Sequence, residues 1–465
     1  MQNQQNFDVV VLGGGPGGYP AAIKASQSGK SVALIDPNDL GGTCLNRGCI
    51  PSKILIANAE FYKRIQEAEK FGVKIGNNLS FDYAVMAERK DKIVAKKRKG
   101  LEGLIRANPI VHIQGMGKFT SPHTLKVVGK DNVILEAKKV IIATGSEPRN
   151  MSAFPFDHVK ILDSTSLLAL KSLPKSLVIV GGGVIGCEFA SLYNTLGVEV
   201  TIVEMLNSIL PMESQAVISH LSKNFLNRGI KILTQAAVKG IVTNDDGVIV
   251  TLAEGETISA SMALVAVGRT LNTSNIGLDA AGVIVEKNGI IAVNDKMETN
   301  VPSIYAVGDI SSTFWLAHVA TRQGLVAGEN AVGGNAHMSY AAVPSVIFTD
   351  PEIGSVGLSL EAAKEKGYNA VVGAFPFAAL AKSEAINETD GFAQIVIDKD
   401  TGQILGAQVV GFEASSLIAE MVVAITNELT VESITESIHA HPTIAEAWLE
   451  AALQADGTPL HLPPK

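Results

Sequence analysis

"VVVLGGGPGGYPAA", Val9 to Ala22, is a short β-branched run followed by G-x-G-x-x-G and a helix opener. "LVIVGGGVIGCEFA", Leu177 to Ala190, writes the same pattern again. Gly13, Gly15 and Gly18 map onto Gly181, Gly183 and Gly186 with a constant offset of 168 (181 − 13). The offset also predicts a residue that did not define it. Asp36, at the end of "SVALID", maps onto Glu204 (36 + 168), at the end of "VTIVE". In each copy the first glycine permits a tight turn, the second lets backbone approach a pyrophosphate, and the third lets helix and strand pack closely. The helix N-terminus offers unpaired N–H groups to the phosphates, and an acid about 20 residues on accepts from ribose hydroxyls. A lone glycine motif carries little weight; strand, glycines, helix and acid repeated at one offset predict two dinucleotide sites. Glu204 favours the free 2′-hydroxyl of NAD over the 2′-phosphate of NADP, and no arginine occurs in the following "EMLNSILPME".

Working outward, "KKVIIATGSEP" (Lys138–Pro148) and "SIYAVGD" (Ser303–Asp309) are apolar strands ending in small-residue turns, with the second glycine unit between them. The expected fold is therefore α/β: two Rossmann-like dinucleotide-binding domains, one inserted in the other, plus a C-terminal α/β domain. The boundaries read as 1–148 and 273–344 for the first domain, 149–272 for the second, and 345–465 for the third. That third region contains a hairpin around an Asp-Thr-Gly turn and three helical patterns ending in "PTIAEAWLEAAL".

The 465-residue chain is 46% hydrophobic and 18% charged, which fits a well-buried protein of several domains. Its net charge of −8 argues against a nucleic-acid role, and "KKRKG" (Lys96–Gly100) reads as the solvated face of a helix. The polar start "MQNQQNF" lacks the features of a signal peptide, and no apolar run approaches the ~18 residues that span a bilayer. The expectation is a cytoplasmic protein with no membrane association and no metal site.

Together the two glycine units, "GGTCLNRGCIPSK" (Gly41–Lys53) and "HAHPTIAEA" (His439–Ala447) resemble the pyridine nucleotide–disulfide oxidoreductases over essentially the whole chain. The cysteine motif is highly specific for that family. Taken alone, Cys44 and Cys49 would read as two small buried hydrophobes. Beside two dinucleotide sites they read as a redox-active dithiol, since three cysteines in a reducing compartment make no disulfide framework. A helix starting near Cys49, with Pro51 in its first turn, would aim its positive end at the thiols and lower their pKa. Cys187 has no sequence partner and reads as structural.

By resemblance, Cys44 is the interchange thiol and Cys49 the thiol lying against FAD. Lys53 lies near the flavin's reactive nitrogen, paired with Glu188. The base should be a histidine. His441, before Pro442 and five residues from Glu446, matches the family's H-P-T-x-x-E pattern, which leaves His439 as the decoy. The resemblance places this histidine at the disulfide of the other subunit, requiring a homodimer built mainly by the C-terminal, dimerisation domain. It assigns FAD to Gly13, Gly15, Gly18, Asp36, Lys53, Gly117, Thr144, Gly145, Ser146, Asp309, Trp315, Leu316, Ala317 and His318. It assigns NAD to Gly181, Gly183, Gly186, Glu188, Glu204 and Gly268. One departure is visible: Val319 and Gln323 stand where many members carry a lysine and a glutamate.

The implied activity is oxidation of protein-bound dihydrolipoamide to lipoamide, with NAD+ reduced to NADH. The implied partners are lipoyl-bearing acyltransferase or carrier proteins of 2-oxoacid dehydrogenase or glycine cleavage complexes. No lipoyl domain precedes Phe7, so the carrier is expected to be another chain. Within the class, glutathione or trypanothione reduction needs NADPH, which Glu204 disfavours. Mercuric reductases and large thioredoxin reductases are expected to carry a C-terminal redox pair, and "ADGTPLHLPPK" has no cysteine. Soluble transhydrogenases lack the dithiol. A silent scaffold would show erosion among Cys44, Cys49, His441 and Glu446, and all four are present.

Overall fold

The computed structural model describes residues 4–76 and 79–463, so Met1–Asn3 of the polar start and Pro464–Lys465 of the tail lie outside the described residues. The chain forms two compact units, each discontinuous in sequence. The first runs to Asn150 and takes in Asp163–Ser172 and Val267–Ser339. The second holds Met151–Leu162, Leu173–Ala266 and the chain from Tyr340 on.

In the first unit β1 (Gln4–Leu12) pairs in parallel with both β2 (Val32–Asp36) and β5 (Val133–Ile142). β2 is buried at all five positions, as a parallel strand covered on both faces requires. β3 (Val111–Ser121) extends the parallel layer as far as Gln114, then turns into an antiparallel meander with β4 (Thr124–Gly129) and β5. β16 (Ile304–Ala306) closes the other side of β5. The core between these strands includes Val10, Leu12, Ile35, Phe119, Leu135 and Ile142.

Helices α1 (Gly18–Gln27), α2 (Gly42–Arg47), α3 (Cys49–Gln66) and α4 (Tyr83–Ala107) follow the first strands. The Asp82 carboxylate caps α4 by accepting from Ala84 and Val85 N–H, satisfying donors that have no partner inside the helix. The basic cluster lies on α4 with Lys96, Lys97 and Lys99 exposed. A capping box between Asp163 and Ser166 starts α5 (Ser164–Ala169). The chain leaves and re-enters this unit along an antiparallel ribbon, β6 (Ser146–Pro148) against β15 (Arg269–Leu271), and continues through α8 (Leu278–Ala281). Finally α9 (Ala317–Asn330) crosses α1 with backbone against backbone. A Cβ on Gly324 would overlap the Gly17 carbonyl oxygen, and one on Gly328 would sit 2.6 Å from that of Ala21.

The second unit contains two sheets and a meander. Five parallel strands lie in the order β10 (Lys231–Leu233), β9 (Glu199–Val203), β8 (Ser176–Val180), β14 (Met262–Val265), β7 (Ile161–Leu162). They are accompanied by α6 (Val184–Thr195) and α7 (Gln215–Asn227). The meander β11 (Val238–Asn244), β12 (Gly247–Leu252), β13 (Thr257–Ala260) turns at the expected "NDDG" and "AEGE". The last sheet is antiparallel throughout: β17 (Ser345–Ile347), β18 (Ile353–Gly357), β21 (Ile404–Val410), β20 (Phe392–Asp398), β19 (Ala370–Pro376). Short α10 (Leu360–Glu365) and α11 (Ala381–Ala385) connect its early strands, and α12 (Ala414–Thr426), α13 (Val431–Thr435) and α14 (Glu446–Asp456) pack around Trp448, Met421 and Ile418. Part-buried Arg228 fastens α7 to this sheet's entry, donating to Ser191 Oγ and to the Asp350 carbonyl at 2.7 Å. Among the described residues no helix is long and apolar enough to cross a membrane.

Candidate active site

The two glycine loops are built alike. Gly13 and Gly181 take φ of 109° and 108°, where a side chain would be strained. A Cβ on Gly18 would overlap the Gly13 carbonyl, and one on Gly186 that of Gly181. The middle glycines differ: only Gly42 Cα, at 3.8 Å, approaches a Cβ on Gly15, and nothing lies within 4 Å of one on Gly183. The outer glycines thus serve the protein's own packing, while the middle one leaves open the space a pyrophosphate occupies. Each acid braces its loop. Asp36 accepts from Gly14 N–H at 2.6 Å and Asn38 N–H at 2.8 Å; Glu204 accepts from Gly182 N–H at 2.6 Å and Leu206 N–H at 2.8 Å. Each carboxylate oxygen keeps a second lone pair for a ribose hydroxyl. Burial pushes the Asp36 carboxyl above its usual range, against the pull of the two N–H donors.

The remaining first-unit residues gather by long-range hydrogen bonds. Thr144 Oγ1 donates to the Asn272 carbonyl at 2.7 Å, and Asn272 returns its amide to the Thr144 carbonyl at 3.0 Å. Gly145, at φ 67°, accepts from Asn272 N–H. Ser146 Oγ donates to Asp309 Oδ2. Trp315 Nε1–H donates to the Ser312 carbonyl at 3.1 Å, Leu316 precedes α9, and Ala317 and His318 begin it. Gly117 has a packing reason of its own, since a Cβ there would sit 2.6 Å from Leu12 Cδ1. Asn46, in the cysteine motif, leaves Oδ1 buried without a partner, an acceptor that suits a ligand donor. The family departure has a physical account: Gln323 is wholly buried and its amide oxygen accepts Gly308 N–H at 2.7 Å, holding the turn that carries Asp309. Val319 is simply buried.

Cys44 lies in α2 and Cys49 is the first residue of α3, with Gly48 between the helices. Both side chains are part-buried thiols, hydrogen-bonded to each other. The expected lowering of both pKa values does not hold for Cys44. Its hydrogen bond with Cys49, its burial and the neighbouring thiol's charge push it far up, and Lys53 offsets only part. The N-terminal end of α3, whose first residue is Cys49, is the end that favours a thiolate. Burial, and then the neighbouring Cys44, push the hydroxyl of Tyr19, directly after the third glycine, above its usual range, and sequence reading missed this neighbour. Cys187 is fully buried on α6, its thiol donating to the Gly182 carbonyl.

Lys53 belongs to the first unit and Glu188 to the second, where Glu188 Oε1 accepts Phe348 N–H at 2.9 Å. Gly268, at φ 108°, precedes β15. In the second unit His441 Nδ1 lies 2.8 Å from Glu446 Oε1, and Glu446 Oε2 accepts Thr443 N–H at 2.8 Å. Burial works against the Glu446 charge, but the Thr443 N–H and His441 hold its carboxyl below the usual range. His439 spends both ring nitrogens, 3.0 Å from Glu420 and 3.1 Å from the Ser437 carbonyl. That engagement leaves His441 as the histidine of the pair with a ring nitrogen to offer.

The description "Pyridine nucleotide-disulphide oxidoreductase" matches residues 7–324, and that family's dimerisation domain matches 343–452. Dihydrolipoyl dehydrogenase of Chlamydia pneumoniae is 50% identical over 461 residues, covering 99% of each chain. That of Geobacillus stearothermophilus is 42% identical, covering 98% of this chain and 97% of its own. Among solved structures, LpdA from Mycobacterium tuberculosis superposes with a TM-score of 0.91 at 29% identity, covering 97% of this chain and 99% of its own. The HOCl-induced flavoprotein disulfide reductase RclA from Escherichia coli gives 0.86 at 27%, covering 96% and 99%. With two such glycine loops, a dithiol and full-length likeness, this chain belongs to the pyridine nucleotide-disulphide oxidoreductase family, whose members work with FAD and NAD(H).

Proposed function

We propose that this chain oxidises dihydrolipoamide, carried on a separate protein, to lipoamide and delivers the electrons to NAD+. The reading rests above all on the hydrogen-bonded Cys44–Cys49 pair at the start of α3, in a chain with two glycine-and-acid loops. Full-length identity to dihydrolipoyl dehydrogenases supports the substrate. FAD, the two-electron acceptor, would be held by Gly13, Gly15, Gly18, Asp36, Lys53, Gly117, Thr144–Ser146, Asp309 and Trp315–His318. NAD, the final hydride acceptor, would be held by Gly181, Gly183, Gly186, Glu188, Glu204 and Gly268.

In the oxidised form Cys44 and Cys49 share a disulfide. His441 of the partner subunit takes the proton of one substrate thiol at Nε2, while Glu446 keeps a proton on Nδ1 and so fixes the tautomer. The substrate thiolate attacks Cys44 Sγ. The Cys44–Cys49 bond breaks and Cys49 leaves as a thiolate, favoured by the α3 N-terminus. The second substrate thiol attacks its own sulfur in the mixed disulfide, closing the lipoyl ring and releasing Cys44. The first proton ends on His441, the second on Cys44, and Cys49 carries the charge. The substrate has lost two electrons and the dithiol has gained them. Lys53 and Glu188 would each serve the flavin's reactive nitrogen. The C-terminal domain pairs two copies, and the lipoyl group comes from acyltransferase or carrier proteins of a cytoplasmic 2-oxoacid dehydrogenase or glycine cleavage complex.

An absorbance assay tests this: dihydrolipoamide with NAD+ or NADP+ in parallel, and a Cys44→Ser variant beside the native chain. The expected result is rapid NADH formation, poor turnover with NADP+, and loss in the variant. No turnover of dihydrolipoamide, with NADPH reducing another disulfide instead, overturns it.

A further inference from the structure

Arg269 follows Gly268 at the start of β15. Its guanidinium is part-buried and spends two donors on one residue: Nε on Ser146 Oγ at 2.6 Å, and a terminal nitrogen on the Ser146 carbonyl at 2.7 Å. Ser146 is buried, and with its oxygen already accepting from Arg269 its hydroxyl proton is turned to Asp309 Oδ2. The three residues come from β15, β6 and the turn after β16, with Ser146 123 positions from Arg269 and 163 from Asp309. They form one directed chain, guanidinium to hydroxyl to carboxylate. The effect on Asp309 is geometric: one oxygen is fixed by Ser146, which leaves the other aimed in a single orientation.

The same guanidinium also acts through space. Burial works against the Arg269 charge, and Asp309, Arg47, Cys49 and Glu147 lie within its electrostatic reach. Lys53, on α3, and Tyr19, on α1, are further charged and titratable neighbours of Cys44. A guanidinium is charged at every accessible pH, so it presents Cys49 with a cation that no proton transfer can remove.

We infer that Arg269 is a positioning residue with two separable effects: through Ser146 it orients Asp309 toward the flavin, and through its charge it stabilises the Cys49 thiolate. The inference rests on the reading of Asp309 as a flavin contact and of Cys49 as the flavin-side thiol. Arginine's fork is needed for the first effect and only its charge for the second, so the two come apart in substitution.

The experiment uses holoenzyme carrying Cys44→Ser, in which Cys49 is the accessible thiol and Cys187 is fully buried. Iodoacetamide alkylation of Cys49 against pH reads the thiolate, and fluorescence of released FAD reads the flavin site. Arg269→Gln raises the alkylation midpoint by about half a pH unit, the scale of one partly screened charge, and speeds FAD release about tenfold, the scale of one lost charge-assisted contact. Arg269→Lys leaves the midpoint in place but speeds FAD release. Ser146→Ala does the same, and these two milder changes carry the test if Arg269→Gln fails to fold. Equal midpoint shifts in Ser146→Ala and Arg269→Gln would show general distortion and overturn the inference. So would Arg269→Gln moving neither readout. Neither readout uses lipoamide or NAD, so a failed substrate assignment leaves the inference standing. If Asp309→Asn leaves FAD release unchanged, the chain has no ligand to orient and the inference falls.

Discussion

Replacing Glu446 by glutamine probes the dyad with almost no change of shape. In the native chain Oε1 lies 2.8 Å from His441 Nδ1 and Oε2 2.8 Å from Thr443 N. Both facing atoms are donors when Nδ1 carries its proton, and a carboxylate accepts from both. An amide has one oxygen, so it must turn its own NH2 against the other donor. One charge-assisted hydrogen bond is lost, about 1.5–3 kcal/mol. The imidazolium formed during proton transfer also loses its counter-charge, worth ~1 kcal/mol at about 4 Å in water and ~4 kcal/mol at an effective dielectric of 20. The side chains of His441 and Glu446 are 72% and 22% exposed in the single chain, which points to the lower part of that range. The two contributions overlap, leaving about 2–3 kcal/mol, or roughly a 30- to 150-fold fall in kcat/KM for dihydrolipoamide. Steady-state oxidation of dihydrolipoamide by NAD+ measures it. NADH oxidation by ferricyanide, which needs no thiol proton transfer, should be unchanged. A fall of less than threefold, or equal losses in both assays, would refute the role given to Glu446.

The second glycine loop yields a paired test. Gly183 has φ −74° and ψ −174°, open to alanine, and nothing within 4 Å of a Cβ, so Gly183→Ala should keep its Tm while the KM for NAD+ rises at least tenfold. Gly186→Ala must push against the Gly181 carbonyl and should unfold several degrees lower, and equal Tm values for the two would contradict the packing argument. Tyr305 supplies a pH test: burial, then the Glu298 charge, pushes its hydroxyl from 10.0 up to about 12. The unfolded chain ionises first, so this contribution to stability is complete below about pH 10 and is lost as pH rises toward about 12. Denaturant unfolding at pH 9 and 11.5 should show a smaller alkaline loss in Tyr305→Phe, and identical losses would sink the assignment.

What the sequence made legible was chemistry held within a few residues. The glycine loops, their acids, the start of α3 at Cys49 and the His441–Glu446 spacing are local, and their geometry follows from backbone rules. The links that organise the flavin end are not local. Ser146 meets Asp309 across 163 positions and Thr144 meets Asn272 across 128. Nothing in either stretch announces its partner. Gln323 looked like a loss because the sequence displays the missing charge but not the Gly308 N–H it accepts. The thiol expectation failed in part for a similar reason: the helix end was readable, whereas the hydrogen bond between the thiols and the burial of Cys44 were not. The family pattern singles out His441 on paper, but nothing in the sequence shows that Glu420, far back on α12, occupies His439.

The backbone crossing of α1 and α9 sets the order in which this protein can come into being. Gly17 and Gly324 touch across 307 positions of chain (324 − 17). At roughly 5–20 residues per second, a ribosome needs roughly 15–60 s to travel between them. Throughout that interval the first glycine loop has emerged, yet α1 lacks the helix that covers it. β5 likewise waits for β16 with one edge unpaired. Residues 173–266, by contrast, carry the whole second glycine loop and most of its parallel sheet before α9 is made. The half of the molecule synthesised first is thus completed late, and a ribosome that stalls before Ala317 releases a chain whose first dinucleotide fold cannot close.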